Sequence, residues 1–109
     1  MAYDEDLANR VRESLANQPR VSEKKMFGGL VFMVGGHMCC GIMKDELMVR
    51  VGPEQYETAL ALPHARQMDI TSRPTRGMVV VDQAGLREDA ALAAWVARGL
   101  AFVTSLPPK

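Results

Sequence analysis

Apolar side chains recur at helical spacing in three parts of the chain. Leu7, Val11 and Leu15 stand four positions apart, which is typical of one buried helix face. The last apolar-rich segment keeps helical spacing over three turns, and its Gly99 predicts a close approach of another backbone, because glycine otherwise weakens a helix. Helices are therefore predicted over residues 4–17, 52–63 and 88–105.

The remaining apolar runs predict strands. In residues 46–51 apolar and polar side chains alternate, as on a half-buried strand. Gly35-Gly36 suits a tight hairpin turn, and Gly28-Gly29 predicts a β-bulge inside the first strand. Strands are predicted over residues 24–34, 37–44, 46–51 and 77–82. A loop joins helix 52–63 to the last of these strands and is expected to hold a short strand near residues 67–70.

The predicted order is α-β-β-β-α-(β)-β-α. Consecutive strands with helices between them favour an α+β fold, in which helices cover one face of a mostly antiparallel sheet. A chain of 109 residues is expected to form a single domain, residues 1–109.

The predicted first strand is apolar on both faces. Phe27, Val31 and Met33 would lie on one side, and the set that includes Leu30 and Phe32 on the other. Because helices cover only one face, the other needs cover from a further element or subunit. We therefore expect a homodimer through the outer sheet face.

Charge and composition narrow the class of partner. Thirteen basic residues balance thirteen acidic ones, so no general field attracts nucleic acid or an anionic membrane. The apolar runs are too short to cross a bilayer, and the N-terminus lacks the pattern of a secretory signal. Cys39 and Cys40 are adjacent and would point to opposite faces of an extended strand, so a disulfide between them is not expected. These features favour a cytoplasmic location.

Residues 37–40 contain side chains of the types that bind metals or undergo redox reactions. His37 and Cys39 would share a strand face and could combine with His64 at a zinc or copper site, but paired ligands at zinc spacings are missing. A redox role needs a stabilised thiolate, whereas buried free cysteine is usually inert. We expect buried cysteines, no metal and no cofactor.

Basic side chains give the candidate binding site. If the sheet gathers them, they would bind an acidic partner, a nucleotide or DNA phosphate, although no aromatic residues interleave with them to stack bases. Solvated charge on a neutral protein is the simpler interpretation. The candidates are Lys24, Lys25, Arg50, Arg73 and Arg76.

Catalytic motifs are missing from the sequence. There is no G-x-S-x-G and no H-E-x-x-H, and neither glycine pair fits a phosphate-binding loop. We therefore expect a protein that is not an enzyme, with no catalytic residues.

Several separated segments resemble the N-terminal domain of the TfoX/Sxy family. They are KKMFGGLVFMV, MCCGIMKDELMVRVGPE, RPTRGMVVV and WVARGLAF, with Met26, Phe27, Gly28 and Gly29 as the most distinctive group. The resemblance spans about residues 3–106 and implies a bacterial protein with an α+β domain and an antiparallel sheet.

The resemblance leaves two hypotheses for function. The founding members regulate natural competence and carry a second, C-terminal domain. No residue follows Lys109 to supply one, so we expect a stand-alone member. The family brings no established catalytic residues. The first hypothesis is a non-enzymatic regulatory or adaptor domain that acts through protein contacts. The second is a small module that binds nucleic acid or an anionic ligand through the basic residues.

Overall fold

A six-stranded antiparallel sheet and three α-helices make up the fold in residues 3–26, 28–67 and 77–107, the parts that the computed structural model describes. The helices are α1 (Glu5–Ser14), α2 (Tyr56–Leu60) and α3 (Asp89–Val103). The strands are β1 (Val21–Met26), β2 (Gly29–Val34), β3 (His37–Met43), β4 (Glu46–Arg50), β5 (Ala65–Gln67) and β6 (Met78–Val81). A short 3₁₀ helix, Gln83–Leu86, precedes α3.

The strands lie in the order β1-β2-β3-β4-β6-β5, and every neighbouring pair is antiparallel. The first four strands form a meander. Helix α3 packs on β3 and β4, α1 packs on α3, and α2 contacts β5 and β6. This two-layer arrangement confirms the predicted α+β fold with helices on one face of the sheet.

One continuous apolar core lies between the two layers. Alternate residues of the strands enter it, as Leu30 and Phe32 do from β2, and meet Val11 of α1 and Trp95 of α3. We call the sheet face that meets the helices the inner face and the opposite one the outer face.

Local hydrogen bonds fix the start of α1. One carboxylate oxygen of Asp4 accepts the backbone N–H groups of Asp6 and Leu7, at 2.9 and 3.1 Å. These are among the N–H groups that the first helical turn leaves without partners, so Asp4 is a helix N-cap. The Asp4 N–H in turn donates to the carbonyl of Lys44, which ties the helix start to the β3–β4 turn.

The predicted first strand, residues 24–34, is wrong in its extent. The segment holds the end of β1, a tight turn and all of β2, so the sheet has one more strand than expected. Gly28 takes a φ of +75°, which side chains disfavour. Gly29 has no room for a side chain, because a Cβ there would lie 2.0 Å from the Ile42 carbonyl oxygen. The β1–β2 register runs without interruption into Met26 opposite Gly29, so this glycine pair is a turn and not a bulge.

The bulge lies on β3 instead. The β2–β3 register shifts between Phe32 and Met33, so Cys39 and Cys40 together oppose Phe32. Both cysteines are consequently buried in the inner core, and the prediction that they point to opposite faces is wrong. Met38 lies opposite Met33 and therefore on the outer face, whereas strict alternation along β3 would place it on the same face as Cys40.

A short strand, β5, lies at Ala65–Gln67 and overlaps the strand predicted near residues 67–70 only at Gln67. Residues 68–70 lie outside the described ranges. Phe27, which the pattern placed beside Val31, lies outside them too.

Candidate functional site

The outer face of the sheet is an apolar band between charged ends. Strand register places one side chain from each strand in a row across its full width. In strand order the row is Lys24, Val31, Gly41, Met48, Val80 and Arg66. The four central members are apolar, so the charges of this row lie at the two edges.

Methionines surround this row. Every methionine in the described part of the chain lies on the outer face or at its margin. Each one either neighbours a core residue along its own strand, and so points the other way, or is paired with an outer-face residue of the next strand. They are Met26, Met33, Met38, Met43, Met48 and Met78. Most are half-buried, and Met26 is 38% exposed. Methionine is flexible and polarizable, which suits both gap filling and adaptable contact surfaces.

Met48 closes the centre of the band. A Cβ atom on Gly41 would lie 2.9 Å from the Met48 methyl carbon and 3.3 Å from a Val31 methyl carbon. The Met48 side chain thus occupies the gap above Gly41. Val31 and Met48 are therefore almost fully buried, although the main core lies on the other face.

The predicted basic residues do not all meet on one surface. Lys24 opposes Val31 and belongs to the outer face, whereas Lys25 opposes Leu30 and belongs to the inner face. Arg50 ends β4, about 14 Å from β1 at three strand spacings. Arg73 and Arg76 lie outside the described residues, so the full patch stays a prediction.

Arg50 instead lies against an aromatic ring of α3. Its guanidinium carbon is 5.2 Å from the centroid of the Phe102 ring, a cation–π distance. Phe102 in turn packs on Gly52, where a Cβ would lie 2.4 Å from the ring. Gly52 takes a φ of +86°, and its N–H donates to the carbonyl of Gly77. The glycine at this point lets the ring lie on the backbone.

A second arginine lies on the same side of α3. The Arg98 guanidinium carbon is 5.3 Å from the Trp95 ring centroid. Neither Arg98 nor Phe102 is among the candidates predicted from the sequence. The signal was present, since Trp95, Arg98 and Phe102 follow i, i+3, i+7 spacing on one helix face. Arg50 comes near this face only through the packing of α3 on the sheet.

The two cysteines interact with each other inside the core. A hydrogen bond from the Cys40 thiol favours the thiolate of Cys39 and lowers the pKa of Cys39, against the effect of burial. The same hydrogen bond and burial raise the pKa of Cys40 well above its ordinary value. Both side chains have no exposed surface. This arrangement agrees with the interpretation of inert, buried thiols.

The histidines take separate local roles. His37 Nε2 lies 2.6 Å from the Pro107 carbonyl oxygen, and His64 Nδ1 lies 3.2 Å from a carboxylate oxygen of Asp82. In residues 3–26, 28–67 and 77–107, no three His, Cys, Asp or Glu side chains come together in a way that could hold a metal ion. Nor does this part of the chain contain a helix long and apolar enough to cross a bilayer.

Comparison with known protein families gives one result. The family described as TfoX N-terminal domain matches residues 13–103, which is most of the chain. Comparisons with curated proteins and with solved structures found no match.

Proposed function

Because the chain belongs to the TfoX N-terminal domain family, we propose that it is a non-enzymatic regulatory or adaptor domain that acts through protein contacts. The founding members of that family regulate natural competence, and this chain would serve a process of the same regulatory kind. The contact surface is the outer sheet face, and its first occupant is a second copy of the chain. The observation that carries the proposal is the gathering of six methionines on the sheet face that the helices do not cover.

The dimensions of the face favour a second sheet as its occupant. Six strands about 4.8 Å apart, three to seven residues long at about 3.4 Å per residue, give a face of about 500 Å² in projection. A helix about 10 Å wide would cover less than half of that width. Two such faces together would bury about 1,000 Å², which is about the minimum expected of a biological interface. A copy of the same face matches it in size and in apolar character.

The distribution of charge supports a protein contact on this face. Lys24 and Arg66 end the central row, and the Arg66 guanidinium donates to Glu46 at 2.6 Å. Arg50 lies at the end of β4. An apolar centre with a charged margin is the usual arrangement of a specific protein interface.

Sedimentation equilibrium of the full chain at tens of micromolar tests the proposal. We expect a dimer for the wild type and a monomer for Met43→Lys, which places a charge on the half-buried outer face. Ala97→Lys, on the exposed side of α3, is the matched control and should remain a dimer. Far-ultraviolet circular dichroism and the melting temperature establish that each variant folds. A monomeric wild type across this range, or an unaffected dimer in Met43→Lys, would contradict the proposal.

A cytoplasmic location is part of the same proposal. Both cysteines are free thiols, and reducing compartments preserve thiols in that form.

A further inference from the structure

Two depressions meet at the ring of Phe102, where the start of α2 approaches the second half of α3. The first has a volume of about 470 Å³ and contains Arg98; the second has a volume of about 350 Å³ and contains Arg50. Gly52, Pro53 and Phe102 line both. Together they form one groove, which we call the Phe102 groove, with an arginine on each side of the ring.

The floor of the Phe102 groove is held in place by the backbone. Val51 and Gly52 both donate their N–H groups to the carbonyl of Gly77, at 2.8 and 3.0 Å. The Phe102 ring lies directly on Gly52, so its position depends on a residue that has no side chain. The groove is therefore largely formed before a ligand arrives, which reduces the entropy lost on binding.

The two arginines are oriented by aromatic rings and not by carboxylates. Within the described ranges, Arg10, Arg12 and Arg66 each pair with a carboxylate, whereas no carboxylate lies within 4.0 Å of Arg50 or Arg98. Stacking on a ring restricts a guanidinium without occupying its N–H donors. Both arginines are half-buried, so a carboxylate bound there would be partly shielded from water.

The walls of the Phe102 groove are mainly apolar between the two cations. Met38 and Met78 line the Arg50 side, and Ala101 lines the Arg98 side. Flexible methionines next to an aromatic ring accommodate an apolar side chain of variable shape.

Glu54 argues against a polyanion as the ligand. Glu54 is among the residues that line the Arg98 depression, and its negative charge there would repel the closely spaced phosphates of a nucleic acid. A peptide can present separate carboxylates to the two arginines and avoid this position. Phe102 is the one aromatic side chain among the described residues that line the two depressions, so a row of rings on which successive bases could stack is missing there.

We propose that the Phe102 groove binds an acidic peptide segment of a partner protein. Carboxylates of the segment bind Arg50 and Arg98, and an apolar side chain between them packs on Phe102. This site goes beyond the proposed dimer surface, because the Arg98 depression lies beside α3 and off the outer sheet face. The Arg50 depression adjoins that face and shares Met38, Arg50 and Met78 with its margin.

An amide ¹H–¹⁵N NMR titration of the full chain tests the assignment. The probe is a nine-residue peptide of alternating glutamate and leucine, and its control has glutamine in place of glutamate. We expect shifts concentrated at the residues that line the groove, and none of comparable size with the glutamine peptide. Arg50→Gln and Arg98→Gln should each weaken binding roughly tenfold, the loss expected for a charge-assisted hydrogen-bonded pair. Arg87→Gln, an exposed arginine outside the groove, is the matched control.

Several outcomes would overturn the assignment. One is equal binding of the two peptides, which would mean that the arginines do not select carboxylates. Another is the absence of shifts at the groove. A third is tighter binding of a short single-stranded DNA with the same arginine dependence, which would assign the groove to nucleic acid. Repeating the titration on Met43→Lys separates this proposal from the dimer, because peptide binding should persist in the monomeric variant.

Discussion

Gly99 of α3 lies directly against Cys39 of β3. A Cβ atom on Gly99 would come within 2.8 Å of the Cys39 carbonyl oxygen and 3.1 Å of its Sγ. The contact falls where the bulge adds an extra residue to β3, so helix and sheet approach closely at an irregular point of the strand. The close backbone approach predicted from the glycine is confirmed.

Replacing Gly99 with alanine should destabilise the protein by up to about 2 kcal/mol. Alanine improves helix propensity by about 1 kcal/mol, but the added methyl group meets a backbone carbonyl that cannot rotate away, and such overpacking costs about 1–3 kcal/mol or more. Urea denaturation measures the free energy of unfolding. Ala97→Gly, the reverse exchange on the exposed side of α3, should cost about 1 kcal/mol from propensity alone. A Gly99→Ala variant more stable than the wild type would show that the helix can shift away from Cys39.

The sequence predicted elements wherever one face alone is buried. Leu7 and Val11 of α1 follow their period because polar side chains mark the opposite side. In β4, Glu46 and Arg50 mark the side opposite Leu47 and Val49, although Met48 between them is buried. The region of residues 24–34 lacked that contrast, since β2 is buried on both faces. The turn after Met26 was therefore hidden within a continuous apolar run, and only its glycines indicated it.

The bulge and the Phe102 groove depend on tertiary packing, which local periodicity does not contain. Strand β3 is apolar on both faces whether or not a bulge is present at Cys39. The pattern of apolar residues therefore does not distinguish a bulged strand from a regular one. Arg50 was selected for its charge, but its neighbour Phe102 is 52 positions away and reaches it only through the packing of α3 on the sheet.

Both thiols should be unreactive in the folded protein. Cys39 has a lowered pKa, yet neither sulfur is exposed, and a reagent must reach the thiolate to react. We expect no rapid reaction with a disulfide reagent near neutral pH, and reaction of both cysteines once guanidinium chloride unfolds the chain. After unfolding, Cys39→Ala and Cys40→Ala should each show one reactive thiol in place of two. Fast modification of the native protein would mean that the β3 bulge opens readily.

The ion pair between α1 and β1 should make stability depend on pH in the acid range. Arg12 donates two hydrogen bonds of 2.8 Å to the Glu23 carboxylate, which lowers the pKa of Glu23 below its ordinary value. The unfolded chain therefore takes up this proton at higher pH than the folded one. The stabilisation is complete above the ordinary pKa of about 4.3 and is lost as the pH falls through the lowered value.

Glu23→Gln isolates this contribution. Because both side chains are more than a third exposed, we expect the variant to be less stable by at most about 1 kcal/mol at neutral pH. The difference from wild type, measured by urea denaturation, should vanish at low pH and shrink in high salt. Glu13→Gln removes a carboxylate from α1 without touching this pair and serves as the control. A difference that stays constant down to low pH would mean that packing and not charge explains the effect.

Tyr56 should tolerate the loss of its hydroxyl group. Its side chain is buried beside Ala59 on α2, and the hydroxyl oxygen has no hydrogen-bond partner among the described residues. A buried hydroxyl without a partner costs about 1–3 kcal/mol of desolvation, which phenylalanine avoids while keeping the ring. We expect Tyr56→Phe to leave the free energy of unfolding unchanged or to raise it by up to about 1 kcal/mol. Tyr56→Ala should lower it by about 3–5 kcal/mol, because the ring fills core volume. If Tyr56→Phe instead lost more than about 1 kcal/mol in urea denaturation, the hydroxyl would have to donate a hydrogen bond in solution.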